Sequence, residues 1–384
     1  MSNPLFSIVI PTRGRSHIVR YAIESVLRQT FKDFEVVLVD NDLSDATASV
    51  CKKYLDDSRF RYHRTGNLSM PDNWEYGLNH STGHFFLLIE DKMFLSKHAL
   101  TRLKLIFEKE NPDFLVWKLD HYDEKHNRFR PRPSSITSQH QWMESDTTLR
   151  LVAQCDFKEY WPLAPRGFNF ASSRDNIRKA AQRHPDGKFF VPVAPDFTSG
   201  YALLLTFKKY LLISSSISAH SFASLSNGQA QILKQELGMQ FYADLGGPAD
   251  IAYKHTLIKC NRCYNSIIND FLGILPHFQR TNDFTLDLVE YFLMNWQEIM
   301  FALTHGGNMA EEIQAYFNAL ELLDDKAVIG EIQLRMQKAK RFGNHLSSRK
   351  TLFQRISREV SNASRKLFYP KNRFASIDAF LDQY

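Results

Sequence analysis

Five apolar residues without alternation, Phe85-Phe86-Leu87-Leu88-Ile89, run directly into Glu90-Asp91-Lys92. An uninterrupted apolar run of this length reads as a strand buried on both faces, as found inside parallel sheets covered by helices. Such a strand cannot hold charges in its interior, so Glu90, Asp91 and Lys92 must emerge at its carboxyl end. That end is where open α/β sheets carry their ligands. Two carboxylates and an ammonium leaving a core strand together form a site for phosphate, metal or both, or else a charged loop that returns the chain to solvent.

Upstream, Phe6-Ser7-Ile8-Val9-Ile10-Pro11 reads as a short strand stopped by proline. Thr12 to Arg15 is a loop, Ser16 an N-cap, and Ile18, Tyr21, Ala22, Ser25, Val26 and Leu27 follow helical spacing. Phe34 to Val39 is a second strand running into Asp40-Asn41-Asp42. A helical run from Ala46 to Leu55, a strand around Arg59–His63 and a short helix from Trp74 to His80 complete a β-α-β-α-β-α-β order. That order implies right-handed crossovers and a parallel sheet with helices on both faces. Neither G-x-G-x-x-G nor G-x-x-x-x-G-K-[ST] follows the first strand, which removes the dinucleotide-binding and P-loop readings. The strand ends offer Thr12, Arg13 and Arg15, then Asp40, Asn41 and Asp42, then Glu90 and Asp91. Those are donors for a base and ribose, and carboxylates for a metal–pyrophosphate.

The stretches Phe6–Arg15 and Ala22–Asn41, the latter containing ESVLRQTFKDFEVVLVDN, resemble the opening of family 2 glycosyltransferases with the GT-A fold. Gly83 to Leu100 resembles the same family's strand, acidic motif and following helix, and the likeness thins toward residue 228. The resemblance implies a mostly parallel central sheet flanked by helices over residues 1–228, while the sequence beyond it, read from its own pattern, gives a helical domain over 229–330 and a basic amphipathic helical tail over 331–384. The resemblance also implies an enzyme that uses a nucleotide-sugar donor. Carried over by motif, Pro11, Thr12, Arg13, Arg15, Asp40, Asn41, Asn73, Glu90, Asp91 and Lys92 are expected to line the donor site. Leu43 stands where the family has a small Ser.

The acidic motif departs from the family's D-x-D, because Lys92 occupies its last position. A protonated lysine cannot ligate a divalent ion and brings positive charge where the metal's would be. Either Asp91 still holds Mg²⁺ or Mn²⁺ with Glu90 on the ribose, or Lys92 neutralises the diphosphate without metal, or the site is inactive. Further on, Asp196 lies at the mouth of the apolar run from Phe190, where inverting members of the family place a general base. The plainer reading of Asp196 is an N-cap for a helix from Thr198. His220 is a candidate metal or phosphate ligand by the same resemblance, or an ordinary histidine. Asp120 to Pro133 reads as a polar loop over the acceptor side.

Beyond Gln229 the resemblance ends and helical patterns follow, notably Phe284–Leu303 and Ala310–Leu323, which suit oligomerisation or acceptor binding. Cys260-Asn261-Arg262-Cys263 lacks the second pair that a zinc ribbon needs, so it reads as thiols on a helix. The net charge of +6 is uneven: residues 331–373 carry twelve Lys/Arg against Glu331 and Glu359. Apolar residues interleaved there suit a helix on an anionic membrane surface, or a basic helix packed on the domain; no nucleic-acid module is recognisable. No window approaches the roughly 18 apolar residues of a membrane span, and Met1 to Leu5 lacks a signal peptide's regions, so a cytosolic place, peripheral to the membrane, is expected. The function expected is glycosyl transfer to a saccharide or lipid-linked acceptor in surface-glycan synthesis; the alternative is a degenerate nucleotide-sugar-binding or partner-binding protein.

Overall fold

The computed structural model describes residues 3–131, 140–214, 217–222, 225, 253–338 and 373–384. Its first elements are β1 (Phe6–Thr12), α1 (Ser16–Leu27), β2 (Phe34–Asp40), α2 (Ala46–Cys51), β3 (Phe60–Arg64), α3 (Met70–Asn79) and β4 (Phe85–Leu88). β1 and β2 are buried at every residue and pair in parallel from Phe6↔Phe34 to Thr12↔Asp40. β3 adds in parallel outside β2, and β4 in parallel on the other flank of β1. This parallel core follows from the unbroken apolar runs, because both faces of each strand meet helices. α1 turns Ile18, Val19, Ala22, Ile23 and Val26 into the core, a single stripe at helical spacing.

Three local expectations are corrected here. β1 runs through Pro11 to Thr12 instead of stopping. Pairing with β4 ends at Val9↔Leu88, so Pro11 has a strand on one side only, where a missing N–H is tolerated. The helical run from Ala46 is short, ending at Cys51 and continuing as a single 3-10 turn, Lys52–Tyr54. α1 begins at Ser16 with Arg15 at the cap position, so Ser16 does not cap it.

After β4 come β5 (Met93–Leu95), α4 (Ala99–Glu110), β6 (Phe114–Trp117), β7 (Asp120–Asp123), β8 (Arg128–Arg130), β9 (His140–Glu144), α5 (Ser145–Ala153) and α6 (Phe157–Tyr160). β10 (Phe170–Ser173), α7 (Arg174–Ala181), α8 (Pro195–Thr206), β11 (Lys209–Ile213) and β12 (Ser218–His220) follow. The main sheet has the order β3-β2-β1-β4-β10-β6-β11-β9, with β10 antiparallel to both its neighbours. The polar stretch Asp120–Pro133 is not simply a loop. Its β7 and β8 join a second sheet, β5-β12-β7-β8, in which β5 continues the chain just past Lys92.

A helical region follows: α9 (Cys263–Ile274), α10 (Leu288–Thr304), α11 (Ala310–Glu321) and α12 (326–338). Glu298 on α10 accepts the amides of Cys263 and Tyr264, satisfying orphan donors at the start of α9. The same carboxylate pairs with the fully buried Arg262 at 2.9 Å. Cys263 therefore does sit on a helix, with Cys260 just before it, and neither is in a disulfide. Most of the basic stretch 331–373 lies outside the described residues. Its far end does not: α13 (Ile377–Gln383) packs Phe380 against Phe94 and Tyr122 of the second sheet. Arg20 on α1 and Arg28 at its C-terminal cap hold Asp378 and Asp382 of that last helix.

α8 presses on the loop before β10. A Cβ built on Gly200 would lie 2.1 Å from the Pro165 carbonyl oxygen, a backbone atom that cannot swing aside. Gly200→Ala therefore pushes α8 away from the neighbouring loop, at a cost of about 1–3 kcal/mol. Urea unfolding should show a lower midpoint with an unchanged slope.

Candidate active site

The parallel register brings three strand ends to one edge. Thr12 is the register partner of Asp40, and its hydroxyl donates to Asp91 Oδ2 at 2.8 Å. Arg15, arriving from the loop after β1, gives one guanidinium nitrogen to Asp91 Oδ1 at 3.0 Å and another to the Leu225 carbonyl at 2.6 Å. Asp91 is 1% exposed. Burial works against the Arg15 charge, but Asp91 and Glu90 outweigh it and hold the guanidinium above its usual pKa.

Glu90 and Lys92 project from the same turn. The Lys92 ammonium lies 3.5 Å from Glu90 Oε1, and His220 Nε2 lies 3.6 Å from Glu90 Oε2. His220 reaches this point because β12 pairs with β5 at His220↔Met93, and the Ser221 amide donates to the Lys92 carbonyl. Burial pushes His220 down to about 4, so at neutral pH it offers a neutral imidazole. Burial alone would raise Glu90, yet Lys92 and the nearby arginines more than reverse this, and the carboxyl stays below its usual range. Lys92 is 3% exposed, and its pairing with Glu90 is longer than a hydrogen bond.

The remaining strand-end residues divide into two groups. Asp40 is fully buried, takes the Asp42 amide on Oδ1 and the Tyr62 hydroxyl on Oδ2, and has its pKa raised by burial. It does not cap α2, which starts after Asp45. Asn41 and Asn73 bond each other; Asn41 also donates to Leu68 O, and Asn73 to Val39 O while accepting from Thr65. These amides fix the loops around the crevice from within. Pro11 is likewise inside the sheet, whereas Arg13 stays at the rim against Asn67.

Asp196 is half-buried in the first turn of α8. Pro195 is the first helical residue, so the helix starts earlier than Thr198 and Asp196 is not its cap. Burial lifts the Asp196 carboxyl to about 6, with Arg166 pulling it down and Glu90 pushing it up. The acid and the charged turn after β4 therefore feel one another. Arg166, to which the sequence reading assigned no role, stacks over Trp161 at 5.3 Å and Phe168 at 4.7 Å, and Gly167 N donates to Asp196 O at 2.8 Å. The signal that marks it is an arginine beside the glycine that must pack on α8.

Glu90, Asp91 and His220 are the groups that could hold a metal. Both Asp91 oxygens are already engaged by Thr12 and Arg15, and Lys92 stands against Glu90. Among the described residues no group of three or more His, Cys, Asp or Glu could hold a metal ion. The donor set does not fit a protein-held divalent cation.

A helix-covered sheet whose parallel strands end in Thr12, Asp40 and the Glu90-Asp91-Lys92 turn, with a raised carboxyl beside them, has the layout of a GT-A glycosyltransferase domain. Residues 7–160 match the family model described as Glycosyl transferase family 2. The chain is similar to an uncharacterized glycosyltransferase of Rickettsia typhi, 28% identical over 30% of this chain and 36% of the relative. A GalNAc(5)-diNAcBac-PP-undecaprenol beta-1,3-glucosyltransferase of Campylobacter jejuni is 33% identical over 26% of this chain and 33% of its own length. A PGL/p-HBAD biosynthesis glycosyltransferase of Mycobacterium bovis is 29% identical over 30% of this chain and 47% of its own. The chain thus spans between a third and a half of these relatives' lengths. Among solved structures, S. aureus TarS 1–349 superposes at a TM-score of 0.44 with 17% identity, covering 87% of each chain.

Arg15→Met leaves Asp91 buried without its cation. The expected cost is about 3 kcal/mol, read as a lower thermal midpoint in the ligand-free protein.

Proposed function

We propose that this chain transfers a glycosyl unit from a nucleotide sugar to an acceptor hydroxyl with inversion at the anomeric carbon. The observation that supports this most is Asp196, a carboxyl raised to about 6 within electrostatic reach of Glu90 and Arg166. A base with a pKa near neutrality is deprotonated at pH 7 and still able to take a proton in the transition state. In this reading Asp196 removes the acceptor hydroxyl's proton as its oxygen forms the bond to the anomeric carbon. The bond to the nucleoside diphosphate breaks on the opposite face, and that group leaves as an anion. Asp40 and Thr12 border the place for the base and ribose, and Lys92 with Arg166 supplies positive charge where the leaving group's negative charge develops.

Lys92 sets the cofactor reading: with its ammonium in the turn and Asp91 committed to Arg15, diphosphate neutralisation falls to the protein's own cations. Transfer should continue at an unchanged rate in EDTA. Lys92→Met should lower kcat by about 10²-fold or more, and a variant regaining activity on added Mg²⁺ or Mn²⁺ would show which charge the lysine replaces. A rate abolished by EDTA in the unaltered protein would sink this part of the reading.

An acceptor saccharide, lipid-linked as in the name of the Campylobacter jejuni relative, is the acceptor class proposed, in glycan assembly. No described helix is long and apolar enough to cross a membrane; the basic segment near the C-terminus is the part proposed to meet an anionic surface. The rival reading, a nucleotide-sugar-binding protein without turnover, draws on Lys92 and predicts donor affinity with no product.

Asp196→Asn should reduce kcat by about 10²- to 10⁴-fold while nucleotide binding, measured by calorimetry, is kept. In the unaltered protein kcat should fall as pH drops through about 6, because protonated Asp196 cannot act as the base. Turnover by the Asn variant near that of the parent removes Asp196 from the mechanism.

A further inference from the structure

α8 owes its starting point to a residue of the helical region. Asp270, on α9 and 5% exposed, accepts the Val193 amide on Oδ1 at 3.1 Å and the Ala194 amide on Oδ2 at 2.8 Å. Ala194 is the cap residue of α8, and its carbonyl receives the amides of Phe197 and Thr198 at 2.9 and 3.0 Å. The carboxylate thus grips, through two consecutive amides, the peptide units that set where the helix begins. Asp196 is the second residue after that grip. From the other side, Gly167 N holds the Asp196 carbonyl, so its backbone is fixed between the Arg166 loop and α9. Two amide hydrogen bonds to the two oxygens of one side chain, carried on a helix, are directional.

We infer that Asp270 is a positioning residue for Asp196, so that the helical region takes part in the transfer step and not only in acceptor or partner binding. The inference rests on reading Asp196 as the base. Asp270 lies beyond residues 7–160, the part that matches the family model. Burial and the neighbouring Asp196 carboxylate push the Asp270 acid up to about 7, in keeping with the two carboxyls sharing one corner of the fold. A base displaced by even about 1 Å from its acceptor costs on the order of 10²-fold in rate. A loosened grip should therefore be felt in kcat before it is felt in donor affinity.

The test uses the full chain. Asp270→Asn keeps the side-chain volume but turns a carboxamide NH2, a donor, toward one of the two backbone N–H groups; Asp270→Glu keeps the charge and moves the carboxylate out by one methylene. Both should lower kcat by about tenfold or more with the nucleotide dissociation constant within about twofold of the parent. In an Asp196→Asn background, Asp270→Asn should slow the residual rate no further, because a residue acting through the base has nothing left to position. Tyr201→Phe removes a hydroxyl that contacts the Ile267 carbonyl across the same helix pair, and it should leave kcat unchanged. A purely structural role would instead give losses that multiply in the double variant, or a loss shared by Tyr201→Phe, and either overturns the inference. So does a kcat within about twofold of the parent in both Asp270 variants. Amide exchange in the unaltered protein gives a reading that needs no variant to fold: Val193 and Ala194 should exchange as slowly as the interior of α8, and rapid exchange there overturns the grip. If Asp196→Asn alone retains activity, the base assignment fails, and the exchange result still reports on the contact itself.

Discussion

The ion pair between Asp91 and Arg15, with the Thr12 hydroxyl on the other carboxylate oxygen, ties the loop after β1 to the turn after β4. A carboxylate this deeply placed must be paired, because leaving it alone would cost several kcal/mol. Meeting that demand draws the first two loops of the crevice to a fixed separation. It also commits Asp91 to the scaffold, where a metal-using site would need it free. The positive charge in the turn then rests on Lys92, which Glu90 attracts at 3.5 Å without fully engaging it.

Much of this geometry follows from a single packing requirement. Strands buried on both faces must push their charged residues past the sheet edge, and the parallel register Phe6↔Phe34 through Thr12↔Asp40 places those edges side by side. Hence the alternation of strands and helices in the first 90 residues, their parallel pairing and the grouping of Thr12, Asp40 and Asp91 were readable from apolar runs and their polar ends. The side chains' individual jobs were less readable. Asn41 and Asn73 have the polarity of ligand contacts but turn inward to satisfy loop carbonyls, and sequence cannot tell which way an amide points. Pro11 looked like a strand terminator because nothing in the sequence shows that β4 stops pairing two residues earlier.

Long-range partners were the least legible. His220 reaches Glu90 only because a three-residue strand pairs with β5, and three residues carry little periodic signal. Asp270 reads in sequence as one more acid on an amphipathic helix, and its grip on Val193 and Ala194 depends on how α9 lies across α8. Arg166 is legible as to type, next to Gly167, but its aromatic seat on Trp161 and Phe168 is tertiary.

The docking of the last helix changes what the basic stretch before it can be. α12 reaches residue 338 within the helical region, and the chain is anchored again from Arg373, where it bridges to Arg128 on β8. The described residues on either side of the cationic segment are therefore both held by the protein. That attachment has a mechanical corollary. A force on the chain at Arg373 reaches Phe380 and its aromatic seat, and so the same small sheet that carries His220 to Glu90.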